Sequence, residues 1–248
     1  MRIFVNRTFP LSEAAVWLAC GYFLGLLGGC AVPQQAQRRT VEPWLRDGQN
    51  VGTITKTMVP SGFDYSYQDL QRRLVRVEKR DPNRQLLSGA CTVVFEYDTS
   101  GQLAVVRHLD AADQPCLNQS GFAGYRSTHS TDQNSNRITE NAFFDCAGRP
   151  VATQGGYAVE RFTHGQGGQL VRVQFLDSSR RPVGSLYLGV PGVAEAQYSY
   201  LEGVGTVTCV ALLDPSGAVV ARKQLSGVTD VSNTFTTYSS SYNTYRWR

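Results

Sequence analysis

Long apolar runs are scarce in this chain of 248 residues, and so are histidine, methionine and blocks of like charge. There are three histidines and two methionines, and no Lys/Arg run exceeds two residues. Three scattered histidines leave little material for a metal centre, since a catalytic zinc site alone draws on about three protein ligands. A net charge of +4 spread over the whole length, with charged residues at 18%, argues against a nucleic-acid footprint. No Gly-x-Ser-x-Gly elbow and no Cys-x-x-Cys pair occurs, which removes the common linear signatures of an esterase and of a redox or zinc motif. Gly165-Gln166-Gly167-Gly168 is glycine-rich but has no following lysine, so it is read as a hairpin turn and not as a phosphate cradle.

Only one apolar stretch stands out, Ala14 to Leu27, behind an N-terminus carrying Arg2 and Arg7. Its length, about 14 residues, falls short of the roughly 20 that a spanning helix needs. A charged start, an apolar centre and small residues before a cleavage point describe a secretory signal. Leu27-Gly28-Gly29-Cys30 ends it, and this resembles the signal of bacterial lipoproteins. The resemblance implies that residues 1–29 are removed and that Cys30 becomes the lipidated first residue of the mature chain. With Ala31 following instead of Asp, it also implies residence in the outer membrane of a diderm host. An uncleaved anchor and an ordinary signal with an incidental cysteine are the rival readings.

Residues 30–60 are rich in Gln, Arg, Thr and Pro with little periodicity, which predicts a flexible tether. Trp44 and Leu45 offer an alternative, docking on the first repeat. Beyond it, residues 61–226 repeat themselves. Arg73-Leu74-Val75-Arg76-Val77 to Asp81 matches Gln169-Leu170-Val171-Arg172-Val173 to Asp177 in register. Glycine opens each unit, at Gly62, Gly89, Gly121, Gly156 and Gly192, and Asp closes it, at Asp81, Asp110, Asp145, Asp177 and Asp214. Self-similarity at this period signals a repeat architecture. Asp214-Pro215-Ser216-Gly217 suits a type I turn, and Asp98 and Asp145 begin the same pattern. Val171, Val173 and Phe175 alternate with Leu170, Arg172 and Gln174, the period-two pattern of a strand.

The expected fold is therefore all-β, an open antiparallel meander of about five tandem hairpins, with a closed barrel or small propeller as the alternative. Its Asp turns are expected along one edge, and Arg149 to Phe162 is expected as one strand kinked at Gly155-Gly156. Residues 227–248 read as capping strands. Tyr238, Tyr242, Tyr245 and Trp247 within them form a candidate contact strip for a glycan or protein partner. Tyr97-Asp98-Thr99-Ser100-Gly101-Gln102-Leu103 resembles the tyrosine-aspartate repeats of bacterial RHS-type surface proteins, which implies a hairpin-repeat grammar. The long shell and C-terminal toxin of that family have no counterpart here.

Of the cysteines after Cys30, Cys91, Cys116, Cys146 and Cys209 allow three pairings. Cys116–Cys146, flanking successive turns, is the candidate disulfide. A Cys91–Cys209 bond would require closure of the sheet. His129 and His164 share a repeat position with Tyr97 and Tyr200, so a ring with a structural role is expected there, and His108 aligns with Phe143, Phe175 and Leu212. The turn aspartates are single carboxylates per turn, against the six to eight oxygens that calcium takes. No catalytic residue, metal ligand or cofactor is assigned. The functional expectation is a lipid-anchored envelope protein whose repeat domain binds or scaffolds a protein or glycan. An envelope hydrolase without a linear motif, or an immunity or inhibitor protein against an envelope toxin, are the alternatives.

Overall fold

The computed structural model describes residues 39–201 and 206–228. Cys30 and the Tyr238, Tyr242, Tyr245 and Trp247 strip lie outside them. The described chain forms fifteen strands in sequence order. They are β1 (Arg39–Arg46), β2 (Gln49–Val59), β3 (Gly62–Asp69), β4 (Leu74–Arg80), β5 (Thr92–Tyr97), β6 (Leu103–Leu109), β7 (Gly124–Thr131) and β8 (Arg137–Phe144). There follow β9 (Val159–His164), β10 (Leu170–Leu176), β11 (Ser185–Tyr187), β12 (Val190–Val193), β13 (Glu195–Tyr200), β14 (Val207–Leu213) and β15 (Val219–Val228). Thirteen make one open antiparallel sheet in the order β1 to β10, then β13, β14 and β15, while β11 and β12 form a separate hairpin. The five units opened by glycine are the hairpins β3–β4, β5–β6, β7–β8, β9–β10 and β13–β14.

Turn chemistry generates this path. At Asp69, Asp81, Asp98, Asp110, Asp132, Asp145, Asp177 and Asp214 the same five-residue turn recurs. The Asp amide donates to the carbonyl four residues on, and the amide three residues on donates back to the Asp carbonyl. In each, the carboxylate also accepts the amide of the fifth residue, at 2.8–2.9 Å. The fourth residue is always left-handed, whether glycine (Gly101, Gly148, Gly217) or not (Arg72, Arg84, Asp113, Ser135, Arg180). Asn118 to Phe122 and Thr153 to Tyr157 repeat the backbone pattern, with Gly121 and Gly156 left-handed. The glycines that open units 121 and 156 thus finish a second turn and aim the chain into the next strand.

Three expectations need correction. Residues 39–59 are not tether. They form β1 and β2, and β2 pairs with β3 over eight residue pairs. Thr53, Thr55 and Thr57 alternate with Ile54, Lys56 and Met58 along β2, which pairs well although it carries few large apolar groups. The Asp turns share one edge only in part: the five that close units, at Asp81, Asp110, Asp145, Asp177 and Asp214, do so as expected, whereas Asp69, Asp98 and Asp132 lie at the opposite edge, because one strand separates each from the next. Finally, Arg149 to Phe162 is not one strand. Pro150 makes a single bridge to Phe144, the Thr153 turn follows, and β9 starts at Val159.

Alternation along the strands gives the sheet two unlike faces. One is dry. In β9 and β10, Phe162 lies opposite Val173, and Phe175 follows on the same face. Over it fold the long loops, so rings from strand ends and loops interleave in one series. Centroid distances run His108–Phe122 5.5 Å, Phe122–Phe143 4.6 Å, Phe143–Tyr157 5.7 Å, Tyr157–Phe175 4.9 Å and Phe175–Tyr187 5.1 Å. These are tilted or edge-on contacts, each worth about 0.5–1.5 kcal/mol beyond the burial of area. The core continues through Val193, Ala196, Val207, Val210 and Leu212.

Two glycines give separable tests of this backbone. A Cβ on Gly217, at φ +85°, would meet nothing within 4 Å. Gly217→Ala is therefore expected to cost only the left-handed penalty, about 1–2 kcal/mol. A Cβ on Gly124 would lie 2.2 Å from the Val106 carbonyl oxygen and 2.5 Å from the Phe144 ring. Gly124→Ala is expected to cost about 3 kcal/mol or more, because backbone and a packed ring must both move. Urea unfolding of the two variants checks the ranking, and equal costs would contradict it.

Candidate functional site

The second face of the sheet is polar and aromatic, and it presents the richest chemistry of the described surface. Its widest patch lies on β1 to β4. Phe63, Tyr65 and Tyr67 alternate along β3, so all three rings emerge on one side. Tyr67 stands opposite Arg76, Tyr65 opposite Glu78 and Phe63 opposite Arg80. From the other side, Lys56 stands opposite Tyr65. Its ammonium lies 4.3 Å from the Phe63 centroid and 5.8 Å from that of Tyr65. Arg80 lies 5.2 Å from the Tyr65 ring. Trp44 reaches across Gly52 to meet Tyr67 edge-on at 5.4 Å. Trp44, Lys56, Phe63, Tyr65 and Tyr67 are all half-buried.

Glu78 organises the patch. It is 6% exposed and accepts from Arg76 Nε at 2.8 Å, Arg80 Nη2 at 2.6 Å and the Tyr67 hydroxyl at 3.0 Å. Burial alone would raise its pKa; the hydrogen bonds from Arg80 and Arg76 outweigh burial and hold it below the ordinary carboxylate range. Tyr67 is pushed up to about 12, by burial and then by the charge of Glu78. The second arm of Arg76 bonds Asp113, the left-handed residue of a turn, at 2.8 Å. Arg180, at the equivalent turn position, reaches Glu140 on β8 at 3.2 Å. The turns after β6 and β10 therefore clip back onto this face.

Farther along, cation and acid alternate between strands. Arg107 pairs with Glu96 at 2.8 Å, Arg161 with Glu140 at 2.5 Å and Arg172 with Glu195 at 3.3 Å. Arg126 and Arg107 lie 4.6 Å and 5.8 Å from the Phe144 ring, which rests on Gly124. Exposed pairs of this kind add little stability each. Their effect is to fix arginine and aromatic groups in a regular array on a broad surface.

Of the ring position shared by Tyr97, His129, His164 and Tyr200, three members tie one unit to the preceding one. Tyr97 donates to the Leu74 carbonyl at 2.9 Å, His129 Nε2 to the Leu103 carbonyl at 2.9 Å and Tyr200 to the Leu170 carbonyl at 2.6 Å. Each acceptor lies at or beside the start of the second strand of the preceding hairpin. His129 Nδ1 is 3.2 Å from Thr139 Oγ1. His164 is held below its ordinary pKa by burial and the nearby Arg137. His108 is 6% exposed and bonds Asn118 Nδ2 through Nε2 at 3.1 Å. Burial, with Lys79 near it, lowers its pKa to about 4, so the ring is neutral at pH 7 and occupies the aromatic slot of its unit.

Each turn carboxylate is engaged by its own loop amides, and those of Asp98, Asp132, Asp145, Asp177 and Asp214 are held below the usual range by hydrogen bonds within their turns. That engagement accounts for the periodic acid without calcium. No group of three His, Cys, Asp or Glu side chains converges among the described residues. Cys91, Cys116, Cys146 and Cys209 are all free thiols, so the Cys116–Cys146 bond is not formed here. Burial pushes the Cys116 thiol up to about 11, with Asp110 adding to the effect. The patch residues Trp44, Phe63, Tyr65 and Tyr67 were missed as a site by sequence reasoning. The period-two spacing of Phe63, Tyr65 and Tyr67 was the available signal.

Two outcomes follow. Tyr200→Phe is expected to cost about 1 kcal/mol, the net worth of one hydrogen bond, with no change in strand content; urea unfolding with circular dichroism measures both. Cys91 precedes β5 and Cys209 lies in β14, seven strand steps away in the sheet order, about 34 Å at about 4.8 Å per step. Non-reducing peptide mapping of folded protein is expected to yield no Cys91–Cys209 peptide, and finding one would contradict the open sheet.

Comparison with protein-family models and with curated proteins returns no match, so any functional reading rests on the chain's own chemistry.

Proposed function

We propose that this chain is an outer-membrane lipoprotein, anchored through acylated Cys30, whose hairpin-repeat sheet binds or scaffolds a protein or glycan of the envelope without catalysis of its own. The observation that carries the binding half is the polar face, where Trp44, Phe63, Tyr65 and Tyr67 stand half-exposed beside Lys56, Arg76 and Arg80. Aromatic and arginine side chains are the groups enriched at recognition surfaces. Here ion pairs and ring contacts pre-order them, which lowers the entropy lost on binding. An open repeat sheet also offers the extended area that such surfaces use. The anchoring half rests on the Leu27-Gly28-Gly29-Cys30 resemblance. Two or more acyl chains hold a protein firmly where one does so only marginally.

The halves are tested separately. Cys30→Ala is expected to release the protein from the membrane fraction and abolish incorporation of labelled acyl chains; unchanged fractionation overturns the anchor. For the face, a photo-crosslinking residue is placed at Met58, 48% exposed and beside Phe63 in register, and separately at Thr57 on the opposite side of the same strand. A discrete adduct in intact cells from position 58 but not 57 is expected. No adduct, or the same adducts from both positions, overturns the assignment of the binding face.

A further inference from the structure

Glu160 breaks the pattern of its own repeat. In successive units the amides of Lys79, His108, Phe143 and Phe175 donate to the carbonyls of Cys91, Ala123, Ala158 and Ala194. Two residues beyond those acceptors stand Val93, Tyr125, Glu160 and Ala196. Three are not ionised at neutral pH and suit a dry face; the fourth is a carboxylic acid. Glu160 is 4% exposed and lies opposite Asn141 of β8 and Phe175 of β10, on the same side as Phe162. Of the acidic and basic groups of these strands, Glu140, Arg161 and Arg172 occupy the other face, while Arg137 and His164 share the face of Glu160 but stand four residues along β8 and β9 from Asn141 and Glu160.

The groups around it offer no counter-charge. Tyr157, from the preceding turn, hydrogen-bonds the carboxyl. Tyr125 of β7 and Tyr187 of β11 are the other titratable groups it acts on, and burial raises both phenols, so they stay neutral. Tyr187 is also bonded to Tyr198 of β13 at 2.6 Å. From β8 and β10 the facing residues, Asn141 and Phe175, carry no charge. No lysine or arginine among the described residues acts on the carboxyl, and Glu160 Oε1 has no hydrogen-bond partner there. A neutral acid is tolerable in this setting, but an ionised one is an unpaired buried charge.

We propose that Glu160 is a proton-operated latch on the fourth repeat unit. Protonated, it completes the packing of β8, β9 and β10; ionised, it leaves the core through local opening of that unit. Burial supports this by pushing the carboxyl from 4.5 to about 7. A pKa raised on folding contributes its stability fully below the unfolded value, and that contribution is lost as pH rises toward the folded one. Between pH 4.5 and 7 the opening equilibrium of the unit therefore rises by about 80-fold, toward a limit of about 300-fold at higher pH that is set by that shift. In a repeat array each unit is held by its neighbours, so opening at β9 separates the hairpins before it from those after it. The protein would be tightest in mildly acidic surroundings and looser at neutral pH.

The test uses the full chain. Glu160→Gln keeps the shape and a hydrogen-bonding group but cannot ionise. Hydrogen exchange of the β9 and β10 amides, corrected for intrinsic rate, is measured from pH 5 to pH 8 for both proteins. Wild-type protection is expected to fall by about 70-fold across this range while the variant stays nearly flat. Parallel profiles overturn the latch. If the variant does not fold, the wild-type carboxyl titration decides. A Glu160 carbon-13 resonance with a midpoint near 7 supports the proposal, and a midpoint near 4.5 overturns it.

Discussion

One five-residue turn underlies the whole molecule. An aspartate carboxylate accepts the amide four residues ahead, the backbone closes on itself over the same span, and the fourth residue is left-handed. Because the side chain satisfies an amide that would otherwise need water, the turn is complete within its own sequence. Its repeated use keeps each hairpin tight and each register in phase. That phase keeps the faces of the sheet distinct, since a slip of one residue would move every ring to the wrong side. The left-handed Arg72, Arg84 and Arg180 mark places where the turn is kept despite a conformational cost of about 1–2 kcal/mol each.

From that regularity follow two surfaces with opposite chemistry. The dry face is closed by the ring series from His108 to Tyr187, where a residue from a strand end and one from a loop alternate. The polar face carries its charges in pairs across strands, and Glu78 draws Arg76, Arg80 and Tyr67 into one cluster. Rigidity on the first face gives order on the second, because Arg107, Arg161 and Arg172 spring from strands whose other side carries the buried core. Glu160 is the exception, a buried acid on the dry side with no cation beside it, and the proposed latch depends on that misplacement.

Much of this could be read from residues alone. The unit starts at Gly62, Gly89, Gly121, Gly156 and Gly192, the closing aspartates, and the ring position shared by Tyr97, His129 and Tyr200 were all legible, because turn geometry and strand period leave local marks. The tether assignment failed for residues 39–59 since Thr and Lys on β2 look like loop composition, yet β2 pairs along the full length of β3. The kinked strand expected at Arg149 to Phe162 failed because the Thr153 turn lacks aspartate and is held by backbone bonds and a bond from the Gly155 amide to the Thr153 hydroxyl. Of the polar patch, the sequence showed only the alternation of Phe63, Tyr65 and Tyr67.

Sequence by itself determined the class, the unit count and the turn positions, since these follow from interactions within about five neighbouring residues. It also carries the lipid-signal resemblance at Cys30, which is a local motif. Tertiary structure decided the rest. Which edge each Asp turn occupies depends on how many strands separate it from the last. The proximity of Trp44 to Tyr67, of Asp113 to Arg76 and of Tyr187 to Glu160 depends on pairing between segments 20 or more residues apart. Burial of Glu160 without a cation is likewise a property of the assembled sheet. The same glutamate one position along β9, at 161, would stand between Glu140 and Gln174 on the polar face, and only the register of three strands keeps it among tyrosines.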